Sequence, residues 1–124
     1  MRHRFTLASL LALALLVIVG VLGQHPMMLF SGALLCCAGL YALYPSRGQL
    51  SVFIIVAIAG PAAEIAAIHM GSWRYTYPIF LGIPLWLPLV WGGAGLYIAI
   101  LARKLDPSLA VPTMPRGETG EHLI

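Results

Sequence analysis

One acid, Glu64, stands inside the apolar part of the chain, and groups able to act with it follow closely. His69 comes five residues later. Then run Gly71-Ser72-Trp73-Arg74-Tyr75-Thr76-Tyr77-Pro78 and Gly82-Ile83-Pro84-Leu85-Trp86-Leu87-Pro88, with Trp91 just beyond. A carboxyl group in an apolar helix is costly to bury and needs a bundle-facing position with a partner or a proton. Glu64 is therefore the candidate acid. Arg74, within reach of Glu64 if its long side chain folds back, or the hydroxyls of Tyr75 and Tyr77 are the expected hydrogen-bonding partners of this acid, and an ion pair with Arg74 would be structural. His69 and Glu64 point about 140° apart on a regular helix, so His69 reads as an interfacial residue unless the helix is distorted.

Trp73, Tyr75 and Tyr77 alternate with Arg74 and Thr76, and Pro78 biases the residue before it towards extended geometry. An extended run puts three rings on one side. Such rings build an interfacial aromatic belt, or a lid over an apolar ligand. Trp73, Arg74, Tyr75, Tyr77, His69 and Trp86 are the candidate ligand-binding residues. Gly60, Ala63, Ala67 and Gly71 are small and let a second helix approach near Glu64.

Other reactive side chains give less. Cys36 and Cys37 are adjacent, and their α-carbons, about 3.8 Å apart, are too close for ordinary disulfide geometry. They read as small buried hydrophobes, although a neighbouring thiol pair also resembles that of mercuric-ion transport proteins. His25, Met27 and Met28 lack a further ligand nearby. No motif implies a metal or a cofactor.

The elements that must hold these residues are membrane helices. Of 124 residues, 60% are hydrophobic and 9% charged, with mean hydropathy +0.93. That charge is too sparse to cover a soluble core, and a bilayer removes the need. The formal charge of +3 flanks apolar segments and forms no patch of the kind that binds nucleic acid. The expected fold is all-α, a four-transmembrane-helix bundle in residues 1–106, with helices at about 5–23, 27–44, 50–70 and 83–104. The first, about 19 residues or roughly 28 Å long, matches a hydrocarbon core of about 30 Å. A cleavable signal peptide is its rival reading. Gly60-Pro61 predicts a kink in the third helix. Residues 107–124 carry prolines, glycines and mixed charge without apolar periodicity, which predicts a disordered cytoplasmic tail. Six of the seven Lys and Arg residues fall in segments that this threading puts inside, so both termini are expected in the cytoplasm and the 71–82 linker outside.

The segment from Glu64 to Trp91-Gly92, with G-x-W-x-Y-x-Y-P and G-I-P-L-W-L-P between, resembles a group of small bacterial integral membrane proteins of uncharacterised function. More distantly, an acid followed by glycine, an aromatic, Tyr-x-Tyr and a proline-broken helix is similar to the membrane carotenoid hydratases and lycopene cyclases. That likeness would give Glu64 the role of the acid that protonates a polyene, with Trp73 and Tyr75 lining the pocket.

Three classes of function stay open for a multi-pass protein of the inner membrane. The first is an accessory or apolar-ligand-binding protein, with membrane lipid, a membrane protein or a second copy as partner. The second is an enzyme acting on an isoprenoid or lipid with Glu64 as acid. The third is a small proton- or cation-coupled transporter.

Overall fold

Residues 2–109 are described by a computed structural model in which four helices fold as an antiparallel bundle. They are α1 (Arg2–Val21), α2 (Pro26–Leu43), α3 (Arg47–His69) and α4 (Leu87–Leu105), with a 3₁₀ turn at Pro107–Leu109. The rest of the expected tail lies outside the described residues. The described chain is all-α, and α1, α2 and α3 are each long and apolar enough to cross a membrane. Helix α4 has 19 residues, carries three glycines, ends in Arg103-Lys104 and is not among these candidate spans.

The helix ends follow from local chemistry. Pro26 opens α2, where its missing N–H costs nothing. The Ser46 hydroxyl caps α3 by accepting from the Gln49 backbone N–H at 3.0 Å. Helix α3 thus begins three residues before the expected Leu50, and Gln49 belongs to its first turn rather than to the loop. It then runs through Gly60-Pro61 as one helix. At its end, Gly71 adopts a left-handed φ of 85°. The N–H of Gly71 bonds to the Ile68 carbonyl and that of Ser72 to the Ala67 carbonyl, a Schellman stop.

Helix α4 starts at Leu87, four residues later than the expected Ile83. Ile83 is held in a tight turn instead, its N–H bonded to the Phe80 carbonyl at 2.9 Å. Leu81 and Gly82 both take positive φ there, 50° and 89°, the backbone of a primed turn that is incompatible with a helix.

Helix α4 is central and packs against α1, α2 and α3. Its glycines admit the neighbours: a Cβ at Gly92 would lie 2.5 Å from the Phe53 ring, and one at Gly95 2.9 Å from Val56. Gly93 is closed by Leu15 and Cys37 in the same way. One buried cluster, with Ala8, Leu40, Leu96 and Ile100, sits at the end where α1 begins and α4 finishes. Another, with Leu29, Ile83, Trp86 and Leu87, sits at the end where the linker crosses. The outer surface is apolar: Leu16, Leu35 and Ile58 are 69%, 73% and 67% exposed. Hydrocarbon or another apolar surface must cover such a face.

Candidate functional site

Glu64 lies one turn after Gly60 on the same face of α3. A Cβ at Gly60 would fall 2.1 Å from the Trp91 ring, so only glycine lets that indole lie flat on the α3 backbone. From there the Trp91 Nε1–H donates to Glu64 Oε2. The Schellman stop at Gly71 turns the chain back, and the Tyr75 hydroxyl donates to Glu64 Oε1. Tyr75 in turn meets Trp86 edge to face, with ring centroids 5.9 Å apart. One acid thus ties together α3, α4 and the linker. Burial, with Glu64 alongside, pushes the Tyr75 hydroxyl well above the usual tyrosine range, and a hydrogen bond from Trp73 opposes this in part. Tyr75 therefore stays a donor at neutral pH.

A cavity of about 300 Å³ opens beside this group, lined by Val19, Glu64, Tyr75, Trp86, Val90, Trp91 and their neighbours Leu87 and Ala94. Its walls are almost wholly apolar, and Glu64 is the one charged group in them. A second cavity, of about 250 Å³, lies towards the linker and is lined by Gln24, Arg74, Thr76 and Tyr77 together with Val19, Tyr75 and Trp86. Val19, Tyr75 and Trp86 line both, so the Tyr75–Trp86 pair separates an open apolar cavity from a more polar one, the mouth.

The residues singled out in the sequence separate accordingly. Glu64, Tyr75 and Trp86 come together. Arg74 and Tyr77 line the mouth, with the Tyr77 hydroxyl donating to Gln24 Oε1 at 3.4 Å. Trp73 is 44% exposed and reaches the site through Tyr75. His69 is exposed in the last turn of α3 and lines neither cavity. The Glu64–Arg74 ion pair does not form. Arg74 lines the second cavity instead. Two neutral donors also spare the desolvation of a second charge. Bends at Thr76 and Tyr77 break the expected one-sided row of rings.

Gly60 was expected to admit a second helix near Glu64 and admits Trp91 of α4, a residue of the singled-out stretch that was not among the candidate ligand-binding residues. The signal available was the one-turn spacing of Gly60 and Glu64, which leaves a flat recess beside an acid. A second polar group was also missed, at the opposite end of the same two helices. Gln49 is fully buried, donates to the Leu96 carbonyl at 3.5 Å and accepts from Arg103 Nη2. Ser46-x-x-Gln49 has the form of a capping box and marks that helix start in the sequence. Cys37 donates to the Leu89 carbonyl at 3.1 Å, and both thiols are free and buried. Among the described residues, no three His, Cys, Asp or Glu side chains gather as metal ligands would.

Comparison of the chain with protein-family models, with curated proteins and with solved structures finds no match.

Proposed function

We propose that this is a multi-pass protein of the inner membrane that holds an apolar chain, lipid-like or isoprenoid-like, in the chamber beside Glu64. The observation that carries this reading is the open apolar cavity of about 300 Å³, the chamber, with one acid in its wall and the more polar mouth beside it. Glu64 fixes the chamber by holding Tyr75 and Trp91, and Arg74 at the mouth faces the polar end of the occupant. All four helices cross the bilayer. Helix α4 needs less apolar surface because α1, α2 and α3 surround it. Arg2, Arg4, Arg47, Arg103 and Lys104 belong to the helix ends on one side and Arg74 to the other, which favours a cytoplasmic basic end and an external linker. A role for Glu64 as proton donor has less support, since both its oxygens accept bonds and the indole of Trp91 can only donate.

A photoactivatable fatty-acid analogue, added to the protein in detergent, tests the chamber. Peptides containing Val19 and Val90 should be labelled, and Ala94→Phe, which fills the chamber, should remove that labelling. Labelling confined to outward-facing positions, and indifferent to Ala94→Phe, would refute the reading.

A further inference from the structure

A further cavity lies at the other end of the bundle, about 390 Å³ in volume and lined by Arg4, Tyr44, Pro45, Ser46, Ile100, Arg103 and Lys104. Its three cations come from two helices and are held by neutral groups. Arg4 donates to the Leu43 carbonyl at 3.1 Å and stacks 4.8 Å over the Tyr44 ring. Lys104 lies 5.2 Å over the Phe5 ring. Arg103 is fixed by Gln49 and by the Ala99 carbonyl at 3.2 Å. Among the described residues, no carboxylate lines the cavity. Asp106, the acid nearest in sequence, is exposed and accepts from the hydroxyl and N–H of Ser108.

We infer that this cavity binds a phosphate group, and that an anionic phospholipid headgroup is the source its position favours. Guanidinium and ammonium groups converge on a space that no carboxylate among the described residues lines, and the Ser46 hydroxyl, which accepts from Gln49, keeps its own hydrogen to donate. Arg103 retains free N–H groups beyond the two it commits, and the buried Gln49 fixes the direction in which they point. Ile100, Tyr44 and Pro45 form an apolar wall suited to the glycerol and the start of an acyl chain. Basic pockets between helices at the cytoplasmic surface hold lipid phosphates in this way. The inference rests on the membrane reading of the bundle and is independent of the Glu64 chamber.

The full chain in a neutral detergent is titrated with dioctanoyl-phosphatidylglycerol, with dioctanoyl-phosphatidylcholine and with inorganic phosphate, and adducts are counted by native mass spectrometry. Phosphatidylglycerol should bind in preference to phosphatidylcholine, and inorganic phosphate should displace it. Lys104 is exposed at the cavity rim, so its substitution spares the core. Lys104→Gln should weaken binding about fivefold, the scale of one cation at an anionic surface, and Lys104→Glu should weaken it further. Arg47→Gln, at the same end but outside the lining, should change it less than about twofold on that scale. Binding of inorganic phosphate without any preference between the two lipids would keep the phosphate site and overturn the lipid source. No binding of either kind, or equal losses in Lys104→Gln and Arg47→Gln, would overturn the site itself.

Discussion

The two ends of the α3–α4 seam solve one problem with opposite means. At the linker end an acid, Glu64, is satisfied by two neutral donors, one from α4 and one from a loop. At the basic end a neutral amide, Gln49, is satisfied by a cation and a carbonyl, both from α4. The first arrangement leaves its charge inside the seam and recruits the linker as a lid. The second brings an arginine to the rim and leaves positive charge facing out. A polar side chain on α3 therefore either draws in the linker or aims a cation, according to which partner carries the charge.

The largest loss should come from Gly60→Leu, which pushes the Trp91 ring off α3 and strands Glu64 at the same time. Overpacking of this kind costs about 1–3 kcal/mol, and the orphaned carboxyl adds to it. Thermal unfolding in detergent reads the loss, and equal stability would mean that the indole does not lie on Gly60. Next in size is the basic end. Arg103→Leu leaves the Gln49 carbonyl buried without its partner and should cost about 1–3 kcal/mol, whereas Gln49→Leu combined with Arg103→Leu should recover much of it. A double variant as weak as the sum of the singles would show that the two side chains act separately.

Tyr75→Phe should cost about 1 kcal/mol and open the chamber without touching the basic end, read as increased quenching of Trp86 and Trp91 fluorescence by acrylamide. The smallest effect is one of pH. Because the folded-state pKa of Tyr75 is raised, its contribution is complete below the ordinary tyrosine value of about 10 and is lost as pH rises above it. The wild-type protein should therefore lose stability more steeply than Tyr75→Phe in alkali. Parallel curves would place Tyr75 in water.

Much of this was legible in the sequence. Apolar runs broken by His25-Pro26, Pro45-Ser46 and Gly71 gave the helices, and one acid in such a run marked the site. What was not legible depended on contacts between helices. Ile83 to Trp86 are apolar enough for a helix, but the turn at Leu81-Gly82 delays it, and nothing local signals two positive φ angles with a leucine in the first. Arg74 or the hydroxyls of Tyr75 and Tyr77 were the expected partners of Glu64, and of these Tyr75 is the one that bonds to it. The second partner, Trp91, lies 27 residues away, and the recess at Gly60 and the register of α4 bring its indole N–H to the carboxyl group.

The central claim is that neutral donors, and not Arg74, hold Glu64. A double-mutant cycle tests it directly, with Glu64→Gln, Trp91→Phe and Arg74→Ala made singly and in pairs and unfolding free energies measured in detergent. The Glu64–Trp91 pair should show a coupling of about 1–2 kcal/mol, and the Glu64–Arg74 pair should be additive within about 0.5 kcal/mol. Strong coupling to Arg74, with additivity at Trp91, would contradict the account.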